Sequence, residues 1–410
     1  MELPTSPPST APTSVPVTPP APEVAPPAAA NHATPASAVA PTTLEGLCGW
    51  LVEQEGSDLH LRAGAPPMVR VHGVLQRLGE SPWDRETVDA MVMETLTRSG
   101  RALDPTGPMP FERDAGLTLP GIGRFRVHAY RERGSWAEVL RFIPEDIPPW
   151  DSLRLPRSMR DWAAVKDGII VVSGPTGSGK STTLAALVDL VNATRPCHIL
   201  IVEDPLEFVH HDRQASISQR EVPTDTPDFA SALRAGMRED PDVIVVGEVR
   251  DAETLRTSLR AAETGHLVLV SVHARSVSDT IHRMLDLVPE AEQRQVRNVL
   301  ADTIRGVVSQ RLVAAKSGGG RRLVCEVAQA TGRLREVIRD PDSETTISDV
   351  LAEGEFHGMQ TMQAHAVTLA LAGDIYVSDA EGVVPSASDL HVALRKAGMT
   401  QEQLSSSRAQ

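Results

Sequence analysis

Aromatic side chains are scarce in this chain, 3% of the residues against 41% hydrophobic residues overall. So few rings offer little stacking surface for single-stranded bases. Positive charge is also short: 40 Lys and Arg stand against 54 Asp and Glu, a formal charge of −14. That balance gives no electrostatic case for nucleic acid as the main partner. The three cysteines, Cys48, Cys197 and Cys325, are widely spaced and odd in number. They form no metal-ligand spacing and point to a reducing compartment with buried thiols. No apolar run reaches 18 residues, so no membrane-spanning helix is expected. The N-terminus lacks the basic start and continuous apolar stretch of a secretory leader. The expectation is a cytosolic protein, one able to dock on a membrane assembly.

What the chain does have is sharply partitioned. Residues 1–43 are mostly Pro, Ala, Thr and Ser; too little can be buried to offset ordering entropy, which predicts a disordered tail with polyproline II character. Residues 44–146 alternate in the manner of short strands. Leu44–Gln54 and Glu86–Thr97 have helical spacing, Asp58–Arg62 and Arg124–Tyr130 alternate, and two short strands flank a His72-Gly73 turn. This is a small α+β domain. Residues 147–162 read as a linker. From 163 to 345 the pattern changes to β-branched runs at 169–172, 199–202, 243–246 and 267–272, separated by helical stretches at 182–191, 229–238 and 252–263. Apolar strands alternating with helices predict a doubly wound parallel sheet. Downstream, Glu290–Arg311 reads as helical, a glycine break follows at 318–320, then two strand-like pieces, and residues 346–410 are mostly helical.

The chemistry concentrates in the larger domain. Gly174-Pro175-Thr176-Gly177-Ser178-Gly179-Lys180-Ser181 follows the apolar run 168–173 and precedes a helical segment that opens at Thr182. A Gly-rich loop between strand and helix turns backbone N–H groups around a polyphosphate. Lys180 reaches the outer phosphates, and the Ser181 hydroxyl suits Mg²⁺. The chain is therefore expected to bind a nucleoside triphosphate. The strand 243–246 leads into Glu248, placed to serve the metal. Glu203-Asp204-Pro205-Leu206-Glu207 crowds three carboxylates after another strand, a grouping that raises pKa values and suits proton handling; spacing alone does not choose between Glu203 and Glu207 as the base. His266 and His273 bracket the strand 267–272 at opposite ends, too far apart to share a metal. Arg124, Arg126, Arg131, Arg133 and Arg141 crowd the small domain. Arg126 and Arg141 lie on alternating strands able to offer a guanidinium to a neighbouring subunit's nucleotide.

Taken together, Ser57-Asp-Leu-His-Leu, Pro66–Gly73, Gly123-Arg-Phe-Arg-Val, the loop 174–184, Ile201–His210, Arg238–Glu248, Ala261-Ala-Glu-Thr-Gly-His266 and Gly358-Met-Gln-Thr361 make a recognisable series. The chain resembles the type IV pilus retraction ATPases (PilT-like) of the secretion ATPase superfamily, from about Ser57 to Met362 or beyond. The resemblance implies a PAS-like front domain, a RecA-like motor domain binding ATP and Mg²⁺, and a homohexameric ring. It further implies Glu207 as general base, Glu248 as the carboxylate holding Mg²⁺ through water, His266 and His273 as the histidine box, and Arg126 and Arg141 as the small-domain arginines that reach phosphate. The partner it implies is an inner-membrane platform protein, with the ring docked at the cytoplasmic face.

Two stretches depart from the family pattern. Ala274-Arg275 stands where two threonines are usual. Arg333-Leu-Arg-Glu-Val-Ile-Arg-Asp340 matches the retraction motif at Arg335, Ile338 and Arg339 but not at Arg333 and Glu336. The alternatives are an assembly or secretion ATPase, which usually carries a four-cysteine zinc subdomain where residues 274–330 hold only Cys325, an accessory retraction paralogue, and a regulatory module that binds nucleotide without hydrolysing it.

Overall fold

Alternating patterns before residue 144 and unbroken apolar runs after 168 build two different sheets in the computed structural model, which describes residues 41–71, 73–103, 110–144, 147–318, 320–401 and 404. The proline-rich tail up to residue 40, His72 of the expected turn, the linker residues 145–146 and most of the final ten positions lie outside the described residues.

Thr43 accepts a hydrogen bond from the Gly46 N–H and opens α1 (Leu44–Glu53). Strands β1 (Gly56–Arg62), β2 (Met68–Val71) and β3 (Val74–Arg77) follow. Asp84 caps α2 (Arg85–Arg98), and β4 (Glu112–Leu119), β5 (Gly123–Glu132) and β6 (Ser135–Ile143) come next. The six strands form one antiparallel sheet in the order β3-β2-β1-β6-β5-β4. Strand β4 is not among the strands expected above: only its second half alternates, with Ala115, Leu117 and Leu119 buried. On β5, Phe125, Val127 and Ala129 are buried. Side chains alternate along a strand, so Arg124 and Arg126 stand on the opposite face, with Arg141 of β6 directly across from Arg126.

After α3 (Arg157–Arg160), the second sheet begins with β7 (Gly168–Ser173), then α4 (Lys180–Thr194), β8 (His198–Glu203) and β9 (Ser216–Glu221). It continues through α5 (Phe229–Gly236), β10 (Val243–Val246), α6 (Ala252–Glu263), β11 (Leu267–Val272), α7 (Val277–Asp286) and α8 (Glu290–Thr303). Strands β12 (Ile304–Ala314) and β13 (Arg321–Gln329) complete it. The order is β13-β12-β7-β11-β10-β8-β9, parallel everywhere except between β12 and β13. Ile169 and Val171 enter one hydrophobic cluster while Ile170 and Val172 enter another. The sheet is thus buried on both faces, which is why its strands read as unbroken apolar runs.

Residues 304–311 are not the end of a helix; α8 stops at Thr303 and the chain enters β12, paired in parallel with β7. Their apolar content suits helix and buried strand equally, and the ladder with β7 decides. The two strand-like pieces after the glycines are one strand, β13, followed by α9 (Gly332–Arg339). Helices α10 (Ile347–Glu353), α11 (Met362–Leu371), α12 (Val377–Glu381) and α13 (Ala387–Lys396) follow. Among the described residues, no helix is long and apolar enough to cross a membrane.

Candidate nucleotide site

Strand β7 runs directly into the loop 174–179, and α4 starts at Lys180. Gly174 has φ +152°, and a Cβ there would lie 2.3 Å from Ser178 Oγ and 2.7 Å from the Gln310 carbonyl oxygen; only glycine fits this first bend. Gly179 takes φ +89° and provides α4 with no side-chain cap. The first-turn N–H groups of α4 therefore face the loop with the helix dipole behind them, an arrangement suited to phosphate. Ser178 Oγ is buried without a partner among the described residues. Ser181 and Thr182 are half-buried in the first turn. Lys180 Nζ donates to the Gly174 and Pro175 carbonyls, each at 3.1 Å. Burial pulls the Lys180 pKa down, and the charges of Glu248 and Glu207 oppose that pull. Both carboxylates are thus within electrostatic reach of its ammonium.

The register of the sheet brings the remaining groups to the same edge. Ser173 at the end of β7 pairs with Val272 at the end of β11, and the neighbouring β10 ends at Val246, two residues before Glu248. His273 Nε2 lies 3.1 Å from Glu248 Oε1, and Arg250 Nη2 lies 2.6 Å from Glu248 Oε2. Arg250 is a residue the sequence reading passed over; its place two positions after the strand-end carboxylate was the available signal.

On β8 the acidic turn divides in two. Burial, helped by the charges of Glu207 and Glu221, pushes Glu203 up to about 8. Glu203 Oε2 accepts from the Glu207 N–H at 3.2 Å, while Glu207 itself is exposed. Crowding of acids was the expected cause of the raised pKa; desolvation is the larger one.

Three expected members stand apart from this cluster. His266 immediately precedes β11, its carbonyl accepting from the Gly168 N–H at 3.0 Å, at the far end from the loop, roughly 20 Å away at ~3.3 Å per residue. Its Nδ1–H donates to the Ala261 carbonyl at 2.9 Å, closing the end of α6, so the histidine box is split between two edges of the sheet. Arg126 is exposed, and the side chain of Arg141 donates to Asp58 Oδ1 at 2.8 Å. Among the described residues neither makes a hydrogen bond or ion pair with the loop of its own chain. Of the arginines singled out above, Arg124 does meet the larger domain, ion-paired with Glu221 of β9. In the α9 stretch, Arg333 pairs with Glu353 and Arg339 with Asp302.

A parallel sheet covered on both faces, with a glycine loop at the end of one strand and a carboxylate at the end of a near neighbour, defines a RecA-like P-loop protein. Residues 156–370 match the family model described as type II/IV secretion system protein. The type IV pilus retractation ATPase PilT of Pseudomonas aeruginosa is 40% identical over 316 residues, covering 77% of this chain and 90% of that protein. A twitching motility protein of Neisseria gonorrhoeae is 40% identical over 307 residues, covering 75% of this chain and 81% of its own length. A crystal structure of the pilus retraction motor PilT with bound ADP superposes with a TM-score of 0.77 at 38% identity, covering 85% of this chain and 99% of that one. This chain belongs to the type II/IV secretion system protein family.

Proposed function

We propose that this chain is the motor ATPase of type IV pilus retraction, working as a homohexamer. The observation that carries the reading is the single edge of the sheet at which the loop 174–179, Lys180, Glu248, His273 and the acidic turn gather. The likeness to retraction ATPases over most of the chain supports the choice of work performed.

In this reading the N–H groups of the loop and of the first turn of α4 bind the phosphates, and Lys180 turns from the Gly174 and Pro175 carbonyls to the β- and γ-phosphates. The Ser181 hydroxyl and the Glu248 carboxylate are hard oxygen donors suited to Mg²⁺, which when bound would neutralise phosphate charge. His273 and Arg250 hold the two oxygens of Glu248 in place. Glu207 takes the proton of the attacking water: it is exposed and in reach of Lys180, whereas Glu203 keeps its proton at neutral pH and accepts the Glu207 N–H. Arg126 and Arg141 face each other across two strands; Asp58 pairs with Arg141, and Arg126 is exposed with no ion pair among the described residues. Like charges directly opposite are unfavourable unless neutralised, and Asp58 answers only Arg141, so the exposed Arg126 guanidinium in particular suits the nucleotide of an adjacent subunit. The small domain, read as PAS-like, would close over that nucleotide as the working stroke, docked through a platform protein at the cytoplasmic face of the inner membrane.

Phosphate release from purified protein with Mg·ATP tests this. Lys180→Ala is expected to abolish turnover and Glu207→Gln to lower it on the order of 10²-fold. Wild-type protein that binds ATP and releases no phosphate would make it a regulatory nucleotide-binding module. In the host, deletion of the gene is expected to leave long, non-retracting pili; bald cells would mean assembly.

A further inference from the structure

The end of β9 is held from three sides. Glu221, 3% exposed, is ion-paired with Arg124 of the small domain. Its Oε2 also accepts from the Leu206 N–H at 3.4 Å, and its Oε1 from Thr224 Oγ1 at 3.4 Å. Arg101, also in the small domain, donates to the same threonine at 3.3 Å. Glu221 pairs with Glu203 across the β8–β9 ladder, and the Val222 N–H donates to the Glu203 carbonyl at 2.8 Å. Leu206 and Glu203 belong to the acidic turn that ends in Glu207. A guanidinium of the small domain and the backbone that carries Glu207 therefore share one carboxylate.

The approach is shaped for this contact. Gly116 of β4 faces the pair, and a Cβ there would fall 2.6 Å from Glu221 Oε1 and 2.8 Å from Arg124 Nη2. Arg124 is held on its own side by Thr118 Oγ1 at 3.3 Å. An ion pair this enclosed is sensitive to loss of either partner, because the charge left behind stays out of water.

We propose that Arg124 and Glu221 form a latch through which the position of the small domain sets the position of the acidic turn, making both of them positioning residues for hydrolysis. The proposal rests on the ATPase reading above. When the small domain shifts, Glu221 follows Arg124, the Leu206 N–H loses or regains its acceptor, and Glu207 moves relative to the γ-phosphate. Misplacement of a reacting group by ~1 Å costs on the order of 10²-fold in rate, so a small rotation is enough to gate turnover.

Two measurements on the full-length protein test the latch together: steady-state hydrolysis of Mg·ATP, and hydrogen–deuterium exchange of residues 203–208. Arg124→Gln removes the charge. Gly116→Ala leaves both charged residues in place and pushes their side-chain ends apart, a milder insult to folding. Both are expected to lower kcat by about 10-fold or more, to change KM for ATP by less than about threefold because the phosphate loop is untouched, and to speed exchange in 203–208. Arg124→Lys is expected to recover part of kcat. Faster exchange in both variants with lower kcat supports the latch; unchanged exchange in 203–208 overturns it, whatever kcat does. Wild-type protein without turnover would remove the ATPase reading, and exchange alone then decides whether the two domains are latched.

Discussion

Glu203 and Glu138 are carboxylic acids kept from ionising by burial, one in the acidic turn and one beneath α2, where Thr95 Oγ1 donates to Glu138 Oε1 at 3.2 Å. Burial pushes Glu138 up to about 8 from an ordinary 4.5. The unfolded chain releases these protons first, so the folded state holds more protons between the two values and stability falls as pH rises through that window. Glu138→Gln is expected to flatten this slope between about pH 4.5 and 8, as measured by denaturant midpoints at several pH values. At Glu203 the same physics separates structure from catalysis. Glu203→Gln preserves a neutral acceptor for the Glu207 N–H and is expected to change phosphate release at pH 7 by less than about threefold. Glu207→Gln is expected to cost far more. Equal losses in the two variants would move the base to Glu203.

At the level of elements, the second sheet depends on one aromatic seat. Trp162, 2% exposed, lies against Gly306 of β12, where a Cβ would sit 2.3 Å from its ring, and its Nε1–H donates to Gln329 Oε1 at 2.9 Å. The ring pins the segment before β7 onto the edge of the sheet that carries β12 and β13. Trp162→Ala is expected to cost about 3–5 kcal/mol, read as a shift in the denaturant midpoint. Residues 304–311 show why local pattern was not enough there: the apolar positions of Ile304–Leu312 serve a helix or a strand, and pairing with β7 makes them a strand. Strand β9, too polar to be read as a strand at all, was likewise set by its ladder with β8.

For the whole molecule the question is whether turnover needs more than one copy. Arg126 and Arg141 lie on the same sheet face as Arg124, yet of these three, among the described residues, Arg124 alone pairs with the larger domain of its own chain. If the other two act on an adjacent subunit, Arg126→Ala and Lys180→Ala proteins, each inactive alone, are expected to recover part of the ATPase activity when mixed. A mixed ring contains interfaces with an intact loop on one side and an intact arginine on the other. Recovery absent at any ratio, with rings formed, would place the arginines outside the reaction.

The phosphate loop, the carboxylate at Glu248 and the apolar strands were legible in the linear sequence because their physics is local. Consecutive N–H groups, a helix start and an unbroken apolar run need no distant partner to be specified. Tertiary structure alone decided which residues meet. The 3.1 Å contact of His273 with Glu248, the removal of His266 to the far edge of the sheet and the pairing of Arg124 with Glu221, 97 positions apart, all follow from strand order and from where the small domain meets the end of β9. Neither leaves a trace in residue spacing, since a charge in a sequence looks the same whether its partner lies across a domain boundary or in water.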